Sequence, residues 1–143
     1  MANFLLEIVT PDRMFFSGEV EMVVARGVEG DFAVLKGRAP LVTPLTIGKV
    51  KIRTEDGKER IAAVSNGYIE VASEKTTIIA DSAEWPEEID IERAKKAKER
   101  AEKRLKNRQD GLDVARAEMA LKRAINRLEV ADLVTVEDRK IRD

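Results

Sequence analysis

Four arginines are the residues best placed to do chemistry in this chain. Arg93 and Arg100 stand seven apart, and Arg123 and Arg127 four apart, inside a stretch from Asp90 to Val130 that holds one glycine and no proline. Both spacings return to one face of an α-helix, so each pair shares a face. If the two helices run antiparallel, the faces converge. Four guanidiniums in one place repel one another unless an anion sits among them, and their forked donors match phosphate oxygens. The competing reading is a solvated, salt-bridged helix surface, and the residues alone leave both open.

Other chemistry finds little support. The 143 residues include no cysteine and no histidine, which removes disulfides, thiolate ligands and the commonest general base and metal ligand. No phosphate-binding glycine loop, dinucleotide fingerprint or nucleophile elbow is present. Carboxylate clusters such as Glu55-Asp56 and Glu87-Glu88 read as solvated turns. Asp31, beside Gly30 at a loop tip, is either another solvated carboxylate or a group that meets a basic partner surface.

The elements that would position these residues change character near Trp85-Pro86. Beyond that point good helix formers fill almost every position. Asp90 suits the cap of a first helix, and Glu92 favours its first turn. Ala94, Ala97, Ala101 and Leu105 form one stripe at spacings of three and four. After a polar break at Asn107 to Asp110, a second helix starting near Gly111 to Asp113 carries Ala117, Leu121, Ala124 and Leu128, widened by Val114 and Ile125. Helices faced with alanine approach closely but bury little, at about 25 cal/mol per Å² of apolar area. Such a hairpin is expected to open readily.

Before Trp85, glycine and proline punctuate short runs rich in Val, Ile and Thr, the pattern of antiparallel strands packed as a sandwich. Phe4, Leu6 and Ile8 alternate with Leu5, Glu7 and Val9, and Thr10-Pro11-Asp12 turns the chain. Residues 15–25 make a bent strand or two, with Val20, Met22 and Val24 on one face. Glu29-Gly30-Asp31 is a tight turn, Lys36 to Pro40 a loop, and Glu55-Asp56-Gly57-Lys58 the clearest hairpin. Asn66-Gly67 repeats that device before a strand at Tyr68 to Val71, and Ser73-Glu74-Lys75 reverses the chain into the last one. The fold class is therefore β plus α, a sandwich over residues 1–86 and a two-helix hairpin over 87–143.

Charge is uneven between these parts. Residues 1–87 hold 10 Lys and Arg against 14 Asp and Glu, and residues 88–143 hold 16 against 13. The helical part is basic, yet too mildly for a typical nucleic-acid binder, and no aromatic follows Trp85. No apolar run is long enough to span a bilayer, and the first ten residues lack the pattern of a signal peptide, so a soluble, cytoplasmic protein is expected.

Several stretches resemble the epsilon subunit of the F-type ATP synthase. They are Val9-Thr10-Pro11, Gly30-Asp31, Ala39 to Thr43, Ala83-Glu84, Ile89 to Ala94, Arg116 to Glu118, Ala120 to Ala124 and Asn126 to Leu128, in order over nearly the whole chain. The resemblance implies a sandwich of about ten strands on the rotor, touching the gamma stalk and the ring of c subunits. It also implies a non-catalytic role, with a hairpin that either folds on the sandwich or extends along gamma toward the alpha and beta subunits and blocks ATP hydrolysis. In bacillus-like members the folded hairpin binds ATP as a regulatory ligand, through a signature matched by Ile89, Asp90, Arg93 and Ala94. Glu84, Ile89, Asp90 and Ala94 would then surround adenine and ribose. Arg93, Arg100, Arg123 and Arg127 would hold the phosphates, with magnesium left open. Asp31 matches the acidic residue that meets a basic loop of the c ring.

Location follows from the same resemblance: the cytoplasmic side of the cell membrane, peripheral, without insertion into the bilayer and without nucleic acid. Ala33 and Arg38 stand where family members often have Gly and His. The alternative is a free-standing adaptor whose basic hairpin binds nucleic acid or other polyanions. A small carboxylate hydrolase is a third reading.

Overall fold

The computed structural model describes residues 2–107 and 113–134. Seven strands come first: β1 (Phe4–Val9), β2 (Met14–Gly27), β3 (Gly30–Leu35), β4 (Leu41–Leu45), β5 (Gly48–Thr54), β6 (Glu59–Val71) and β7 (Lys75–Glu84). A single 3-10 turn (Pro86–Glu88) leads to α1 (Ile91–Lys106) and α2 (Val114–Ala131). Two compact units result, Met1–Glu84 and Trp85–Asp143.

Seven strands replace the ten expected because three of them serve twice. The first half of β2 pairs with β1, and its second half pairs with β3 on one side and β5 on the other. Similarly, β6 pairs with β5 over Glu59 to Val64 and with β4 over Gly67 to Val71, while β7 follows it along both halves. The strands thus pass from one layer to the other without a break. Pairing is antiparallel except between β1 and β7, which run parallel from Leu5↔Lys75 to Val9↔Ile79.

Ser17-Gly18 and Asn66-Gly67 accordingly lie within strands, and the second corrects the expected turn. Asn66 adopts a φ of 30°, the one described non-glycine residue in the left-handed region. At Gly67 the strand crosses β7 so closely that a Cβ would stand 1.9 Å from the Ile79 carbonyl oxygen and 2.8 Å from the Ala80 Cα. Only a residue without a side chain admits that approach.

The remaining turns follow their chemistry. Thr10 N–H donates to the Arg13 carbonyl at 3.0 Å. In the β5–β6 hairpin Gly57 has a φ of 81°, Thr54 N–H donates to Lys58 O at 2.9 Å, and the Asp56 carboxylate accepts from the Thr54 hydroxyl and from Lys58 N–H. The chain reverses at residues 72–75 with Ala72 N–H donating to Lys75 O at 3.0 Å.

Leu6, Ile8, Val20, Val23, Ile52, Ile69 and Ile78 are fully buried and form the centre of the core. In β2 the buried set switches phase: Val20 is followed by Val23 and Ala25, not by Met22 and Val24 as the alternation suggested. A register shift between Val20 and Met22 inserts one residue and turns every later side chain to the other face.

The backbone contact at Gly67 makes a direct prediction. Gly67→Val should destabilise the chain by roughly 2–4 kcal/mol, because strand backbone cannot yield as a side chain can. A lowered midpoint in urea denaturation followed by circular dichroism measures the effect.

Candidate functional site

Within the helical unit, Asp90 caps α1 as expected. Its carboxylate oxygen Oδ1 accepts from Arg93 N–H at 3.1 Å, which satisfies one of the free amides of the first turn. Asp113 does the same for α2, accepting from Arg116 N–H at 3.0 Å. The expected break at Arg108 to Asp110, and Gly111 beyond it, fall outside the described residues.

The seam between the helices is made of alanine. Ala94 and Ala101 on α1, and Ala117, Ala124 and Ala131 on α2, are each 3% exposed or less. Ala97, Leu105, Leu121 and Leu128 flank them, half-buried. Alanine keeps the helix axes close and gains little from burial, about 0.8 kcal/mol per CH₂ removed from water. The alanine stripe expected from the sequence is therefore buried.

The arginines take their places from this seam. At about 100° per residue, Arg93 and Arg100 lie some 100–120° from Ala94 on one flank of α1, and Arg123 and Arg127 some 60–100° from Ala124 on one flank of α2. In antiparallel helices these are the same side of the pair. Counting back from the connection, Arg93 is roughly level with Arg127 and Arg100 close to Arg123, so all four fall within about two turns of axis. Arg93 and Arg100 are exposed, and Arg123 and Arg127 half-buried.

Ile89 is 3% exposed and Ala94 3%, so the two apolar positions of the signature are buried on either side of the Asp90 cap. Glu84, the remaining nucleotide candidate, ends β7 in the other unit. One polar residue on α2 was missed by the sequence reading: Asn126 is only 8% exposed. Asparagine on a charged helix gives no periodic signal that it will be buried.

Asp31 stands opposite Arg26 at the β2–β3 turn. Arg26 Nε donates to Asp31 Oδ1 at 2.9 Å and Nη2 to Oδ2 at 3.4 Å. This fork holds the Asp31 carboxyl below its ordinary value of 3.8. The side chain remains about half exposed, so the carboxylate also faces solvent. It lines an open depression of about 630 Å³ with Gly30, Phe32, Arg38, Thr43 and Pro44. The two positions that depart from the family pattern meet here, since Arg38 Nη1 donates to the Ala33 carbonyl at 2.7 Å and the guanidinium covers the Phe32 ring at 5.6 Å.

No group of three or more metal-ligating side chains occurs among the described residues. Nor, among them, is any helix long and apolar enough to cross a membrane.

Comparison with known proteins adds the following. The family described as ATP synthase, Delta/Epsilon chain, beta-sandwich domain matches residues 3–86, and that described as ATP synthase, Delta/Epsilon chain, long alpha-helix domain matches residues 87–132. Proteins named ATP synthase epsilon chain are similar over most of their length. That of Moorella thermoacetica is 48% identical over 134 residues, 94% of this chain and 100% of its own. That of Caldicellulosiruptor bescii is 47% identical over 132 residues, 92% and 96% of the two chains. That of Bacillus velezensis is 48% identical over 131 residues, 92% and 98%. Among solved structures, a chain in the OSCP, F1 and c-ring portion of the Euglena gracilis mitochondrial ATP synthase aligns with a TM-score of 0.79 at 27% identity, covering 94% of this chain and 83% of that one. A chain from the central stalk and c-ring of the Tetrahymena thermophila enzyme shares the fold, with a TM-score of 0.53 at 14% identity over 92% and 96%.

The Arg26–Asp31 pair makes a pH prediction. A carboxyl lowered in the folded state stabilises above its ordinary value of 3.8, and that contribution is lost as pH falls through the lowered value. A carboxyl NMR titration should place the Asp31 midpoint below 3.8, and Arg26→Gln should move it back up.

Proposed function

The chain belongs to the ATP synthase epsilon-chain family, and from that premise we propose that its hairpin is an ATP-biased latch on the rotor. As an epsilon chain it is a non-catalytic part of the central stalk. The latch reading is supported by one feature: helix geometry puts four arginines drawn from both helices on one flank of a seam of buried alanines, which is poor in apolar area.

The residues of the helical unit fit a nucleoside triphosphate. Arg93, Arg100, Arg123 and Arg127 offer forked donors to its phosphates, and a polyphosphate among them relieves their mutual repulsion. Ile89 and Ala94 offer apolar contact to the base, and Asp90 an acceptor beside them. When bound, ATP supplies negative charge and a bridge between the arms. It undergoes no reaction there.

The energetics suit a sensor. Binding only to the closed hairpin favours it by RT ln(1 + [ATP]/Kd), about 1.4 kcal/mol when ATP exceeds Kd tenfold. That moves an equilibrium poised near one and leaves a strong preference unmoved. Ample ATP keeps the hairpin closed. Scarce ATP releases it to reach the alpha and beta subunits, where it inhibits hydrolysis.

The sandwich unit, in this reading, attaches the protein to the gamma subunit and the c-subunit ring, with Asp31 presented to a basic loop of the ring. The Euglena relative, solved together with OSCP, F1 and c-ring, supports that assignment. The protein would then lie on the cytoplasmic side of the cell membrane, held there by the complex.

Isothermal titration of the isolated chain with ATP should show one site. Asp90→Ala and Arg93→Ala should each weaken it about tenfold or more, a loss expected when a charged hydrogen bond is removed. A flat titration of the wild type rejects the latch. Removing residues 87–143 should leave assembly of the complex intact and abolish the ATP-dependent inhibition of hydrolysis; failure to assemble would overturn the division of roles between the two units.

A further inference from the structure

Asn126 is the only buried polar side chain among the described residues of the helical unit. It lies outside the alanine seam, beyond the edge of the arginine flank that Arg123 marks. Relative to Ala124, the seam residues Ala117 and Ala131 lie within about 20°, whereas Asn126 lies about 200° and Val130 about 240° away. Val130 is fully buried as well. So α2 is buried on a second side, and besides α1 it packs against the turn Pro86–Glu88.

That turn leads straight into the nucleotide signature. It is closed by Trp85 N–H donating to Glu88 Oε1 at 2.9 Å and by Ile89 N–H donating to Pro86 O at 3.3 Å. Pro86 and Ile89 are buried, and Asp90 follows as the cap of α1. A buried primary amide has to be hydrogen-bonded, and Asn126 is not without a partner. An apolar residue would tolerate several registers of α2 against the turn, whereas an amide with fixed partners admits one.

We propose that Asn126 is a positioning residue for the nucleotide site, setting α2 against the Pro86–Glu88 turn and so placing Ile89 and Asp90 for the nucleoside end of ATP. The inference rests on the latch reading above and adds a division of labour to it. The arginines bind phosphate without help from Asn126; recognition of the nucleoside needs it.

The test uses the full chain and two probes, ATP and inorganic tripolyphosphate. Asn126→Leu should weaken ATP about tenfold and leave tripolyphosphate within about twofold, while Arg93→Ala should weaken both. Without nucleotide, hydrogen exchange should rise at residues 89–93 and stay unchanged at residues 100–105. Asn126→Gln, which keeps the amide on a longer arm, should recover part of the ATP affinity. Parallel loss of both probes, or faster exchange along all of α1, would make Asn126 a plain core residue and overturn the proposal, as would unaltered ATP binding. A wild-type chain that binds neither probe rejects the latch itself, a result distinct from any seen only in the variants. Should Asn126→Leu lose helicity, Asn126→Ser is read by the same two probes with the same outcomes.

Discussion

Alanine at the helix–helix seam is the constraint from which the behaviour of the hairpin follows. Five alanines bring two highly charged helices into contact while removing little apolar surface from water. The same small side chains keep the helix axes close, and helix geometry puts Arg93, Arg100, Arg123 and Arg127 on one flank of the pair. Leucine in their place would strengthen the seam and push the helices apart, and the proposed latch would lose both its ready opening and the spacing its ligand needs. In the proposed latch, weak packing and anion binding are one design, since the ligand contributes free energy that the seam does not.

The sandwich is built on the opposite principle. Strands β2, β6 and β7 each belong to both layers, and β1, β2, β5, β6 and β7 close a circuit of hydrogen bonds. A continuous strand ties the layers covalently and leaves few ends to fray. Its large fully buried side chains, Leu6, Ile8, Ile52, Ile69 and Ile78, contrast with the methyl groups of the hairpin seam. One chain therefore holds a unit suited to rigid attachment and another suited to movement.

Much of this was legible in the residues. The alternation of Leu6 and Ile8, the Asp56-Gly57 hairpin, the Asp90 cap and the alanine stripe all report local physics that tertiary contacts left in place. Failures arose where a distant neighbour decided the outcome. Asn66-Gly67 carries the same local signal as a hairpin turn, but the backbone of β7 at Ile79 makes it a crossing inside a strand. The bulge after Val20 has no signature of its own, so the phase change in β2 was invisible. The burial of Asn126 had no local signal, because burial of a polar side chain depends on what lies opposite it. The common flank of the arginine pairs follows from helix spacing and antiparallel packing alone, whereas the Arg26 fork on Asp31 required the register of β2 and β3.

The parallel alignment of β1 with β7 has a mechanical consequence. Tension applied between the start of β1 and the exit of β7 at Glu84 pulls the two strands lengthwise past each other. Their rungs then bear load side by side in shear, instead of being unzipped in turn. A domain threaded this way stiffens against force along its own chain, as befits an element riding on a turning shaft.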